Sequence, residues 1–411
     1  MTEAVDFRRE SSRMLAALAR ILGMHNLSLA EDVVQDVLCR ALEVWRFHPP
    51  PRDPSAWLLQ AARNRAIDLI RKEKTRRRFA PDLELSSEYA LTPTVTALFE
   101  ESEIEDDLLR MMFSVCSPSV PEAAQLALVL KLLCGFGTWE IAAALLASKA
   151  AVEKQLARGK RTLSRAGLLY EVSGRERIAG RLAAVQRALY LLFSEGYHGS
   201  GEAVRVELCS EAMRLCSLLA AHPACATPAT LALLSLMCFH AARLPGRAAE
   251  DGSLLLLEQQ DRSRWDASLI QRGFDLLDRS ASGEEVSEYH LEAGISSEHC
   301  AAPSLARTDW PRIVELYDAL LARRPSPVVA LSRAIALGEA RGPDQGLRAL
   351  EELPDRERLR AYPFLPAAAG RLHLRAGRPE EAAGFFREAV RLARNPAEAK
   401  LFESQLLACQ F

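Results

Sequence analysis

Positive charge is concentrated on two short stretches of this chain, in a pattern suited to neutralising a polyanion. Residues 63–78 hold eight Arg/Lys against two acids, and residues 149–165 hold six against one. In the second stretch Lys149, Lys154, Arg158, Lys160 and Arg161 follow Ser148 along one expected helix, with Glu153 among them. A helix fits the major groove of duplex DNA, its first residues near base edges and its later cations near phosphates. In the first stretch Arg63, Arg65, Arg71 and Lys72 lie off an apolar stripe of Leu58, Ala61, Ala62, Ala66, Leu69 and Ile70. Phosphate neutralisation needs such cations on a rigid element. Asn64 sits mid-helix, where its propensity is poor, and a base contact would justify it. Taken singly, each stretch also reads as the solvated face of an ordinary helical hairpin. Between them residues 79–107 hold nine acids and no base, so two basic islands flank an acidic tether.

Other chemistries fare worse. The spacing of His290, His299 and Cys300 fits no standard zinc pattern, and no metal site is expected. Glu195 and His198 suggest acid–base work, but no nucleophile or phosphate loop accompanies them, so no enzyme is expected. Nine scattered Cys without a CxxC pair read as reduced, mostly buried thiols of a cytoplasmic protein. The start MTEAVDFRRESSRM lacks the apolar core of a signal peptide, and the apolar run Leu231–Phe239 is too short to span a membrane.

The elements that must position the cations are helical. Apolar residues make up 49% of the 411, aromatics only 6%, and Ala, Leu, Glu and Arg dominate. Leu15, Leu18, Ile21 and Leu22 recur at helical spacing, and Ala30–Trp45 forms a second helix with Val33, Val34, Val37, Leu38, Ala41, Leu42 and Trp45 on its buried side. Its other side carries Glu31, Asp32, Gln35, Asp36 and Glu43, which suits a basic protein partner better than DNA. The run His48-Pro49-Pro50-Pro51-Arg52-Asp53-Pro54 breaks the helix, and Ser55 is the expected cap of the next. In the second basic stretch Ile141, Ala142, Leu145, Val152 and Leu156 form the small core of a helix-turn-helix. An all-α fold follows, with domains at 6–78 and 106–168, a linker at 79–105, and a helical extension at 178–411. Val328–Leu350 and Ala367–Val390 look alike within that extension, their Gly landmarks 35 residues apart, close to the tetratricopeptide period.

These elements, in this order, resemble the extracytoplasmic-function class of bacterial RNA polymerase sigma factors. AEDVVQDVLCRALEVW (30–45) is similar to the core-binding segment of that class. PSAWLLQAARNRAIDLIRKEKTRRR (54–78) is similar to its minus-ten reading helix, and WEIAAALLASKAAVEKQLARGKRTL (139–163) to its minus-thirty-five helix-turn-helix. RLAAVQRALYLLFSEGYHGS, LLLLEQQDRSRWDASLI and SPVVALSRAIALGEARGP resemble the tetratricopeptide-like extension of one subset. The resemblance implies that Asp32, Gln35 and Asp36 dock on the clamp of core RNA polymerase, while the second domain meets its flap. It implies that His48, Arg52 and the helix around Asn64 engage the minus-ten strand, where capture of an extruded base favours melting. Arg63, Arg65, Arg71 and Lys72 would hold phosphates there, and Ser148–Arg161 would enter the minus-thirty-five major groove. The tether would run near the polymerase active-site and RNA-exit channels.

Three positions depart from the class. Leu146 stands where Gly is usual, Glu153 is acidic where a base is common, and Gly159 interrupts the recognition helix where Ala is more stable. No cofactor is implied. The extension is expected to modulate activity, by contact with the protein's own sigma domains or with polymerase. The polar run Glu258–Trp265 reads as such a contact, or as a capped helix start with a buried Trp. The main alternative is a stand-alone DNA-binding regulator with a helical-repeat sensor domain, which would not need the acidic face of Ala30–Trp45.

Overall fold

A computed structural model of the chain describes residues 6–79, 106–145, 147–165, 175–198, 205–247, 249 and 254–410. Apart from Phe79, the expected linker lies outside the described residues, as does Leu146. The fold is all-α: the protein is 79% helical, with nineteen α-helices and no strand among the described residues. It divides into two compact units, Met1–Leu192 and Phe193–Phe411.

The first unit is organised around α1 (Phe7–Leu22), whose first turn is capped by Asp6 accepting from the amides of Arg8 and Arg9. Met14, Ala16, Leu18 and Ala19 of α1 are wholly buried, on more than one side of the helix. Two sets of neighbours account for this. α2 (Leu27–Trp45) and α3 (Pro54–Phe79) pack on α1, and so do α4 (Asp107–Val115) and α5 (Glu122–Cys134). Fully burying a Met or Leu contributes roughly 1.5–3 kcal/mol, so both sets gain stability from one helix. The cap of α3 differs from expectation: Asp53 accepts from the Ala56 amide at 2.9 Å, while the Ser55 hydroxyl donates to Glu10 at 2.7 Å. Asp53 precedes Pro54, whose missing amide costs nothing in the first turn of a helix.

α6 (Thr138–Ala144) and α7 (Lys149–Arg165) form the expected hairpin around buried Ile141, Ala142, Val152 and Leu156. Gly159 has a packing reason. A Cβ there would stand 2.6 Å from Leu128 Cδ1 and 3.2 Å from the Ala124 Cβ, so only glycine lets α7 lie so close to α5. α8 (Arg175–His198) contains the division between units. Its first part buries Ile178, Val185 and Leu189 in the first unit, where Arg181 donates to the Phe113 carbonyl at 3.1 Å.

The second unit is built on α10 (Pro228–Ala242), an almost entirely buried helix that packs against α9 (Val206–Ala221), α12 (Ala267–Ser280) and α13 (Glu288–Ala301). The four-residue α11 (Leu244–Arg247) follows α10. From α13 onward each helix packs on the next, through α14 (Trp310–Arg323), α15 (Pro327–Arg341), α16 (Pro343–Glu351), α17 (Phe364–Arg375), α18 (Pro379–Leu392) and α19 (Pro396–Leu407). The two look-alike stretches form the pairs α15/α16 and α17/α18. Each pair turns at a glycine of positive φ, Gly342 at 96° and Gly377 at 73°, followed by a helix with proline in its first turn. Trp265 is buried, and Asp266 caps α12 by accepting from the amides of Ser268 and Leu269. All nine cysteines are free thiols. Burial pushes Cys116 and Cys209 up to about 12 and Cys238 up to about 11, so these buried thiols are inert.

Candidate nucleic-acid interface

α2 presents Asp32, Gln35 and Asp36 to solvent because Val33, Val34, Val37 and Ala41 turn the opposite face into the core. α3 likewise exposes Arg63, Asn64, Arg65, Arg71 and Lys72 by burying Leu58, Ala62 and Ala66. Between the two helices lies a cleft of about 580 Å³ lined by Asp36, Val37, Arg40, Trp57, Gln60, Ala61, Asn64, Arg65 and Asp68. Asp36, expected on polymerase, and Asn64 and Arg65, expected on DNA, thus face one cleft. Arg65 reaches Asp36 at 3.4 Å, and Asn64 Oδ1 accepts from Gln60 Nε2 at 2.9 Å. Both contacts are exposed, so each is worth well under 1 kcal/mol and yields readily to a ligand. Arg71 lies 3.9 Å from Asp68.

His48 and Arg52 are exposed on the proline-rich turn after α2. Tilted ring contacts brace that turn: Trp45 lies 5.9 Å from Phe7 and 5.5 Å from Trp57. Beside it the sequence reading misplaces one residue and misses another. Leu42, assigned to the buried stripe, is 56% exposed, and Phe47 is 78% exposed. The helical period alone assigned Leu42 to the core, but α1 and α3 cover the side of α2 that carries Ala41 and Trp45, and Leu42 lies off it. Phe47 carried no charge or spacing to mark it.

On α7 the Ser148 hydroxyl accepts from the Ala151 amide at 3.2 Å, capping the helix. Lys149 pairs with Glu153 at 3.6 Å and lies over the Trp139 ring at 5.4 Å. This accommodates the acid at position 153 within the basic face. Lys154, Arg158 and Arg161 are exposed. Lys160 is not in the same situation. It is half-buried, and its ammonium donates to both carboxylate oxygens of Glu31 on α2, at 2.8 and 2.5 Å. Arg8–Glu140 at 2.8 Å and Arg20–Asp107 at 3.5 Å add two more ties between the α1–α3 and α4–α7 halves. Burial raises the Asp107 carboxyl above its usual range, against the opposing pull of Arg20 and Arg110.

Comparison with known proteins fits this geometry. Residues 7–76, which span α1, α2 and most of α3, match the family described as sigma-70 region 2. The chain is 35% identical over 405 residues to an uncharacterized protein of Rhizobium meliloti (strain 1021), covering 98% of this chain and 95% of that protein. The chain belongs to the sigma-70 family of RNA polymerase sigma factors. Region 2 is the part of these sigma factors that binds core RNA polymerase and melts promoter DNA. In this sigma factor the cleft between α2 and α3 lies within the segment that matches region 2. Residues 181–281 match a family of unknown function, DUF6596, so the sigma factor carries a C-terminal extension beyond its region 2. No solved structure matches the chain. No helix among the described residues is long and apolar enough to cross a membrane.

Proposed function

We propose that this protein is a sigma factor of the extracytoplasmic-function type, which binds core RNA polymerase and directs it to promoters with minus-ten and minus-thirty-five elements. The observation that carries the reading is the shared cleft, in which an acidic helix and a basic helix of the region-2 segment offer Asp36, Asn64 and Arg65 to different partners. Asp32, Gln35 and Asp36 dock on the polymerase clamp. Asn64 and Arg65, with His48 and Arg52 on the neighbouring turn, take the non-template minus-ten strand. Arg63, Arg71 and Lys72 neutralise its phosphates. The α6–α7 hairpin is the minus-thirty-five reader and meets the polymerase flap. Ser148, Lys149 and Glu153 stand nearest the bases, Lys154, Arg158 and Arg161 stand on phosphates, and Lys160 joins them when it leaves Glu31.

The protein supplies no bond-breaking chemistry in this reading. Its work is positional: it holds polymerase on duplex DNA and stabilises an unpaired strand. The helical-repeat extension modulates that activity, so transcription by the chain ended after Leu192 should differ from that of the full chain. Affinity for purified core polymerase tests the docking face. Asp32→Arg/Asp36→Arg should weaken binding at least tenfold without lowering duplex DNA affinity, since the added cations favour phosphate. Unchanged polymerase affinity would remove the docking assignment.

A further inference from the structure

In the second unit, two arginines stand on one indole ring without an ion pair among the described residues. Arg243 closes the C-terminal end of α10, and Arg262 lies in the short turn before Trp265. The Trp265 ring, only 6% exposed, receives both guanidinium groups, Arg243 at 5.3 Å from its centroid and Arg262 at 4.7 Å. Arg262 is fixed by donating Nη1 to the carbonyls of His299 and Ala302, at 2.5 and 2.6 Å, at the C-terminal end of α13. His299 completes the group, its ring edge-on to Trp310 at 5.3 Å.

The polar atoms of this cluster are incompletely used. Arg243 Nε, Arg262 Nη2 and His299 Nδ1 are buried and have no hydrogen-bond partner, and neither arginine makes an ion pair among the described residues. Trp265 Nε1 is also unpartnered, but it turns toward Gly246. Burial holds the His299 imidazole neutral, down to about 3, and both arginines push in the same direction. Arg243 also depresses Arg262, after the larger effect of burial. Both arginines are half-buried, and a buried donor nitrogen left without a partner is costly, so natural structures pair such groups. The α13 carbonyls offset part of the Arg262 charge, and the indole face offers both guanidiniums a weak attraction. Neither supplies a full negative charge, and nothing else among the described residues makes an ion pair with Arg243. The missing piece is an anion whose oxygens accept several N–H bonds, the geometry guanidinium groups serve best.

We propose that Arg243 and Arg262, gathered on Trp265 beside His299, form a binding site for a small oxyanion, a phosphate or carboxylate group. The site lies outside the polymerase- and DNA-binding segments and gives the extension a ligand of its own. The oxyanion has two sources. It belongs to a dissociable small molecule, which is the proposal, or to the chain's own Glu250 or Asp251, which lie outside the described residues.

Calorimetric titration of the full chain with inorganic phosphate and with succinate, at constant ionic strength, tests this and separates the sources. The site predicts saturable one-to-one binding of at least one of the two, weakened at least tenfold by Arg243→Gln. Arg243→Lys, which keeps the charge and loses the fork, should retain part of the affinity. Circular dichroism checks that each variant is folded. A Tm rise of about 3 °C at ten times Kd should accompany binding and vanish in Arg243→Gln. Saturable binding that survives in Arg243→Gln would place the anion on the basic helices and overturn the proposal. Absence of saturable binding of either probe would also overturn it. In that case a Tm loss in Glu250→Gln/Asp251→Asn matching that of Arg243→Gln would identify the chain's own carboxylate as the counter-charge.

Discussion

The Lys160 ammonium on α7 sits 2.5 Å from Glu31 Oε2 on α2, joining a residue of the basic helix to the acidic helix. Both side chains remain partly in solvent, so the pair contributes at most about 1 kcal/mol to stability. Its larger effect is on function, because a lysine bound to a carboxylate is not available to a phosphate. Freeing it should strengthen DNA binding. Glu31→Gln is expected to raise duplex promoter affinity two- to fivefold at low salt and to steepen the slope of log affinity against log salt by about 0.9, one added phosphate contact. Fluorescence anisotropy over a salt series measures both. An unchanged slope would mean that Lys160 does not reach DNA.

Gly159 makes an opposite prediction from the one helix propensity gives. Propensity alone favours Gly159→Ala by about 1 kcal/mol. The new Cβ would meet Leu128 at 2.6 Å, however, and overpacking of this kind costs about 1–3 kcal/mol. The variant should therefore be destabilised or neutral in urea unfolding, with the effect relieved by Leu128→Val. A clear gain in stability would show that α5 and α7 separate at no cost.

His299 predicts a pH dependence. Its folded-state value, about 3, lies below the unfolded value near 6.5, chiefly through burial. The unfolded chain therefore takes up the proton first as pH falls. The stability this neutral imidazole contributes is fully present above about pH 6.5 and is lost progressively as pH falls toward 3. His299→Gln should flatten the dependence of Tm on pH across that window, relative to the native chain. Parallel profiles would mean that His299 is protonated in the folded protein.

Much of the fold was legible in the sequence, for physical reasons that individual residues show. The apolar period of α1 and α3, the break at Pro49–Pro54 and the Gly342 and Gly377 turns act within one or two helices, so local spacing reports them. The exposed cations of α3 and α7 were legible for the same reason, since the buried residues that orient them lie three or four positions away. The contacts that were not legible join residues far apart in sequence. Lys160 and Glu31 are separated by 129 positions, and Gly159 meets a leucine on another helix. No periodicity encodes such pairs, so Gly159 looked like a defect until its neighbour was visible. Leu42 failed in the converse way: its spacing fitted a broad apolar stripe, but the neighbouring helices cover only the side of α2 that carries Ala41 and Trp45. The Arg243–Arg262 cluster was hidden because its four residues come from three separate segments: Arg262 and Trp265 stood out only as part of a polar run, His299 only among residues that fit no zinc pattern, and nothing in the spacing joined them to Arg243.

The central claim is that this chain brings RNA polymerase to promoters, and run-off transcription tests it most directly. Purified core polymerase would be combined with the full chain on genomic DNA fragments, with Asp32→Arg/Asp36→Arg as the control. The account predicts discrete transcripts with the native chain and none with the control. Specific duplex DNA binding without any transcript, from the full chain and from the chain ended after Leu192 alike, would contradict it and identify a regulator that works without joining polymerase.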